Sequence, residues 1–327
     1  MEKLDLKDRK ILYELDLNAR QTDKEISRKV GLSREATRYR IQKLMSEGYI
    51  NYFMTILNTM KLGYDWYRTF FKFQNINLQK EKEIIDWLNE RASWVTKVEG
   101  KWDLNTGIFC KNVYDFKDIL DKFILEFSSY IERYEVSIVT RMWHYHRDYL
   151  IENKNKTSKA EIMGFSSRKD YKIEKIDEND YKILEVLLKD ARMKTVDIAR
   201  KINSTEMIVR YRIKNLIKKG IILGFRSFLN IGKLGYAYFK LHIKLQNLTS
   251  QKKDKLLQYL HNHSSTVYTT ELVGGADIET EFQVKNNEEF YKCIEELRRQ
   301  FGEIIRDYEF MQYTNEYKFS YLPEMKF

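Results

Sequence analysis

The chain is written twice. Asp8-Arg9-Lys10-Ile11-Leu12 returns as Asp180-Tyr181-Lys182-Ile183-Leu184, Arg38-Tyr39-Arg40-Ile41 as Arg210-Tyr211-Arg212-Ile213, Gly48 as Gly220, and Leu62-Gly63-Tyr64 as Leu234-Gly235-Tyr236. The spacing is constant at 172 residues (210 − 38). Further on, Gly100, Asp103, Phe116 and Phe127 match Gly274, Asp277, Phe290 and Phe301 at 174 (274 − 100), so the second copy carries a two-residue insertion. Solenoid units repeat every 20–50 residues or so, and a period this long makes each copy a complete fold.

The 327 residues are 43% hydrophobic and 14% aromatic, which excludes general disorder, and a single proline, Pro323, leaves helices and strands almost unbroken. A net charge of +10 favours a polyanionic partner, because clustered Lys and Arg gain by releasing counterions condensed on nucleic acid. The two cysteines, Cys110 and Cys293, do not occupy matching positions. That usage argues against a disulfide framework and fits a reducing cytoplasm. Met1-Glu2-Lys3-Leu4-Asp5 is no apolar signal region, and no run approaches the roughly 18 apolar residues of a membrane helix, so neither secretion nor membrane insertion is expected.

Each copy opens with helical signals. Ile11, Leu12 and Leu15 fall at helical spacing, with Asp5 and Asp8 at the positive end of that helix. Thr22 caps a second helix through Val30, Gly31 breaks the chain, and Ser33 caps a third in which Thr37, Ile41 and Leu44 face inward. Arg34, Arg38, Tyr39, Gln42 and Lys43 are left outward. Gly48 ends the helix and β-prone residues 49–56 form a wing. The second copy repeats the plan, with a cap at Thr195, Val209, Ile213 and Leu216 inside, and Arg210, Tyr211, Lys214 and Lys218 outside. Arg40 and Arg212 sit beside the buried stripe, where each could reach a phosphate or fix its helix to a neighbour. A winged helix-turn-helix is the simplest architecture, and a B-DNA major groove admits one such helix.

The rest of each copy reads β-α-β-β-α-β, the ferredoxin-like order. In copy one the elements are 66–73, 78–91, 94–99, 103–109, 115–127 and 131–140; in copy two they are 238–245, 252–260, 266–272, 278–284, 288–301 and 304–313. A sheet with helices on one face needs cover on the other, and a fused pair supplies it within one chain. The Lys-, Ser- and Asn-rich stretch 153–174 links the copies, with Ile162, Met163 and Phe165 able to dock on a surface.

The Asp-x-x-Asp-x-x-Ile-Leu opening, the Arg-Tyr-Arg-Ile helix, the Gly-x-Ile end, Leu-Gly-Tyr and the βαββαβ module together resemble the Lrp/AsnC family of transcription regulators, over nearly the whole chain and twice. The resemblance implies a DNA-binding winged helix joined to an effector and dimerisation (RAM) domain, in bacteria and especially archaea. It also implies that the Gly-x-x-Asp turn holds small ligands, commonly amino acids; the matching residues are Gly100 and Asp103, then Gly274, Gly275 and Asp277. Such a turn equally suits a tight hairpin whose aspartate caps local amides. Copy one puts bulky Lys101 and Trp102 there, where copy two has Gly275 and Ala276. Copy two replaces Gly31-Leu32-Ser33 by Asn203-Ser204-Thr205.

Chemistry is sparsely marked. His144 and His146, and His261 and His263, have a two-residue spacing that metals use, without a third ligand at recognised spacing, and no metal or cofactor is expected. No phosphate-binding Gly-rich loop or nucleophile elbow is present. The duplicated plan also resembles fused siroheme decarboxylases, which carry paired arginines after the wing's Gly-x-Ile and a His-containing motif in the effector-like domain; Asn51-Tyr52 and Leu223-Gly224 replace the arginines, while Trp143-His144-Tyr145-His146-Arg147 keeps that alternative open. The expected fold is therefore α+β: winged helix-turn-helix 1–58, RAM-like domain 59–152, linker 153–174, winged helix-turn-helix 175–230, and RAM-like domain with tail 231–327. The expected function is that of a non-enzymatic cytoplasmic regulator binding double-stranded DNA, open to a small-molecule effector such as an amino acid. A decarboxylase-like enzyme and a non-DNA-binding assembly module are the alternatives. Aromatic sheet faces and the Tyr-rich tail point to further homo-oligomers.

Overall fold

The computed structural model describes residues 4–151, 163–165 and 172–325. Copy one begins with α1 (Leu6–Leu17), α2 (Asp23–Val30) and α3 (Arg34–Ser46), followed by β1 (Ile50–Leu57). Reciprocal side-chain and backbone bonds between Asp5 and Asp8 close the start of α1, and Thr22 and Glu25 do the same for α2. Gly31 takes the left-handed conformation between α2 and α3 (φ 66°), and Ser33 caps α3. Copy two repeats these elements as α6 (Glu178–Lys189), α7 (Thr195–Lys201), α8 (Glu206–Lys218) and β7 (Ile222–Leu229). Asn203 replaces Gly31 with φ 54°, a conformation asparagine tolerates better than most residues, and Thr205 caps α8. The cap expected at Thr195 falls one residue earlier: Lys194 stands there without a capping side-chain bond, and Thr195 hydroxyl donates instead to Glu206 (2.8 Å).

The ferredoxin-like units are β2 (Asp65–Phe73), α4 (Leu78–Arg91), β3 (Trp94–Gly100), β4 (Leu104–Cys110), α5 (Val113–Phe127) and β5 (Ile131–His144) in copy one. After the short β6 (Met163–Phe165), copy two supplies β8 (Ala237–Leu245), α9 (Ser250–Asn262), β9 (Thr266–Val273), β10 (Ile278–Val284), α10 (Asn287–Phe301) and β11 (Ile305–Phe319). Strands β5 and β11 outrun their expected ends because each pairs with both copies: β5 with β2 and β9, β11 with β8 and β3. The sheet thereby runs β2-β4-β3-β11-β8-β10-β9-β5 and returns to β2, a closed barrel. The helices cover its outside over two separate apolar clusters, one per copy. Cys110 and Cys293 lie buried one in each cluster, and burial pushes both thiols up to about 12.

The wing strands are shared rather than private. β1 pairs antiparallel with β7, and the register places Met54 opposite Arg226, residues that are equivalent in the repeat. A pseudo-two-fold axis therefore passes through that pair. Reciprocal bonds confirm it: Arg20 donates to the Ala191 carbonyl (2.6 Å) and Arg192 to that of Ala19 (2.5 Å), while Asn58 and Asn230 amides reach the Ile221 and Tyr49 carbonyls (2.8 and 3.0 Å). The sheet faces on which further association was expected are largely consumed internally, whereas the tail is buried only at Tyr321 and Pro323 among its described residues and leaves Tyr317 exposed. The faces line the barrel. In the linking stretch Met163 and Phe165 dock as expected, buried on the edge of β5; Ile162 lies outside the described residues. Among the described residues no helix is long and apolar enough to cross a membrane.

Candidate nucleic-acid interface and the axial cavity

The inward stripe of α3, Thr37, Ile41 and Leu44, is buried, and so is that of α8, Val209, Ile213 and Leu216. This anchoring fixes which residues turn outward. Arg34, Arg38, Tyr39 and Gln42 are exposed and Lys43 half-exposed; Arg210, Tyr211, Lys214 and Lys218 are exposed on the second helix. Tyr39 and Tyr211 stand at equivalent positions, 66% and 70% exposed, far more than a packed ring allows. Arg210 meets Glu206 (2.6 Å), an exposed helix pair that contributes little and yields readily to another anion.

Arg40 and Arg212 have a different task. Arg40 bridges Asp5 (2.7 Å) and Asp8 (2.8 Å) at the start of α1, and Arg212 bridges Asp177 (2.8 Å) and Asp180 (2.9 Å) at the start of α6. Each guanidinium clamps an outward-facing helix onto the first helix of its copy. A second clamp crosses between copies: Lys61 donates to the Lys219 carbonyl (2.6 Å) at the end of α8, and Lys233 to the Glu47 carbonyl at the end of α3. Exposed Met207 and Ile208, in the first turn of α8, add apolar groups beside the basic residues, and a pattern of Lys and Arg does not mark them. Their equivalents in α3 are Glu35 and Ala36.

The Gly-x-x-Asp turns have structural work. Asp103 accepts from Lys72 (2.7 Å) and the Phe73 amide (2.8 Å), and Asp277 from the Leu245 amide (2.7 Å). Gly100 and Gly274 have positive φ, and a side chain on either would meet the backbone carbonyls of Phe310 (2.8 Å) or Val136 (2.7 Å). A side chain at Gly275 would meet Glu135 (2.7 Å). Trp102 is buried with Phe70, Val98 and Met311. His144 ends β5 and His146 lies beyond it, while His261 and His263 lie at the end of α9. Among the described residues no group of three or more His, Cys, Asp or Glu side chains is placed to hold a metal.

The barrel interior carries charge. Alternate residues of β2, β8 and β10 point inward, and Arg68 pairs with Glu279, which also accepts from Lys240 (2.7 Å); Lys240 lies 3.2 Å from Glu281. Burial alone would raise the Glu279 carboxyl, but Lys240 and Arg68 outweigh it and hold it at about 2. Between barrel and helices a second cluster gathers Asp16, Arg226 (2.7 Å) and Arg147. Burial again opposes the charge, and the two guanidinium groups hold the Asp16 carboxyl at about 2. Above the barrel charges opens a cavity of about 510 Å³, lined from both copies and from the wing sheet.

Comparison with known proteins places these features. A winged helix-turn-helix DNA-binding family pattern matches residues 4–51 and again 176–222. An HTH-type transcriptional regulator of Pyrococcus horikoshii, itself uncharacterised, is 30% identical over 132 residues, covering 40% of this chain and 78% of the relative. The regulator LrpA of the same organism is 50% identical over 62 residues; that match spans 19% of this chain and only 44% of LrpA. The crystal structure of the siroheme decarboxylase NirDL superposes with a TM-score of 0.64 over 98% of this chain and 94% of its own, at 13% identity, a likeness of fold.

Proposed function

The chain belongs to the Lrp/AsnC family of helix-turn-helix transcription regulators, in tandem-duplicated form, and on that premise we propose that it binds double-stranded DNA sequence-specifically through α3 and α8. The carrying observation is that both helices are clamped from behind and present exposed basic and aromatic residues at two-fold-related positions. Arg34, Arg38, Tyr39, Gln42, Lys43, Arg210, Tyr211, Lys214 and Lys218 are the DNA-facing set, and Arg40 and Arg212 hold their helices in place. Met207 and Ile208 suit thymine methyl groups, and their absence from α3 makes the two half-sites unequal. Half-site centres about 34–36 Å apart, or a multiple, are expected of two such helices.

The test is selection of genomic fragments at physiological salt, followed by affinity measurement with Arg38→Ala/Arg210→Ala. The double variant should weaken binding strongly and flatten the dependence of log affinity on log salt by about 0.9 per lost phosphate contact. A folded double variant with unchanged affinity and slope sinks the assignment. The whole-chain likeness in fold to a siroheme decarboxylase keeps an enzymatic reading on the table. Because Asn51-Tyr52 and Leu223-Gly224 stand in place of the arginine pairs, we favour binding over catalysis. Enrichment of no fragment, together with turnover of siroheme, would reverse that choice.

A further inference from the structure

The axial cavity is built from equivalent positions that have diverged. Trp66 and Tyr238 both line it, as do Met142 and Glu316, and Arg147 and Tyr321. In a homodimer an axial site has identical halves. Here fusion freed the halves to differ, and copy one contributes indole and thioether where copy two contributes phenol and carboxylate.

The two carboxylates that line the cavity are already engaged, Glu281 by Tyr313 (3.0 Å) and Lys240 (3.2 Å) and Glu316 by Trp94 Nε1 (2.9 Å). Gln283 lines it with its carbonyl engaged by Arg147 Nε (3.0 Å) and the Tyr149 hydroxyl, which leaves its amide nitrogen without a partner among the described residues. Arg68 Nε, buried and on a cavity-lining side chain, likewise has none. Buried donors are costly when unpaired, and both of these want an acceptor. The walls are aromatic, and the volume is in the range of small-molecule sites.

We propose that this cavity binds a small aromatic carboxylate, with its ring against the Trp66 side and its carboxylate accepting from Gln283 and Arg68. Asn51 and Phe228 of the wing sheet also line the cavity, so an occupant touches the DNA-facing half directly. The coupling to DNA rests on the regulator reading; the binding does not, and it is measured without DNA so that either can fail alone.

The experiment titrates the full chain with 4-hydroxyphenylacetate by calorimetry and by tryptophan fluorescence, since Trp66 and Trp94 line the cavity. The neutral 4-hydroxyphenylacetamide is the control. The carboxylate should bind and quench, and the amide should bind at least about tenfold more weakly, one charge-assisted hydrogen bond's worth. Gln283→Glu keeps the acceptor for Arg147 and Tyr149 but replaces the donor by a repelling oxygen, so it should lose the carboxylate and keep its fold. Gly232→Trp, at a mouth position where an added side-chain carbon meets only Asn230 at 3.8 Å, should block both probes. Equal affinity for the two probes, no binding at about millimolar concentration, binding unaffected by Gln283→Glu, or displacement of the probe by haem would each overturn the assignment.

Discussion

At the residue scale the most consequential side chain is Asp16. It is fully buried, its equivalent in the repeat is Leu188, and it holds Arg226 and Arg147 together. Asp16→Asn leaves two buried guanidinium groups without their carboxylate, and the expected loss of stability near neutral pH is about 3–5 kcal/mol. The sign of the pH dependence follows from its depressed pKa: the stabilisation is complete above the ordinary value of 3.8 and is lost as pH falls through about 2. Urea unfolding of both proteins at pH 7 and pH 2 should show the gap closing in acid. A gap of the same size at both values refutes the role. The need for acid at this position was invisible in the sequence, because its two partners lie 131 and 210 residues away.

At the element scale, strand β4 shows how one missing side chain admits a large one. A Cβ at Gly107 would stand 2.2 Å from Trp66 Nε1. The glycine opens the space in which the indole lies, while at the equivalent position of β10 Glu281 reaches Lys240 instead. Gly107→Ala should cost about 1–3 kcal/mol by overpacking and shift the tryptophan emission; an unchanged melting midpoint and spectrum would show that the ring has room to move. Helices α1 to α3 were legible beforehand because caps and apolar stripes are local signals. The Thr195 cap was misplaced because a threonine can stand in the first turn as readily as before it, and only the bond to Glu206 tells which.

At the scale of the whole molecule, the two copies complete one another. Arg68 of copy one depends on Glu279 of copy two, whose own equivalent is the neutral Asn105. A barrel made of two first copies would enclose two arginines without those carboxylates. Residues 1–151 and 172–327 produced as separate chains should therefore assemble one to one in preference to homodimers. Sedimentation and intact-complex mass measurement decide the point, and stable homodimers of 1–151 that refuse the second half would contradict it.

By itself the sequence determined the duplication, the order of elements in each copy, the family and the outward basic faces of α3 and α8, because each depends on residues close together along the chain. The tertiary structure alone decided that Arg40 and Arg212 clamp rather than project, that β1 pairs with β7, and that the two sheets close into a barrel. It also decided that diverged equivalents meet at an axial cavity. Those outcomes depend on contacts across some 30 to more than 200 positions, where the periodicity of a strand or helix says which face is turned but not what it meets.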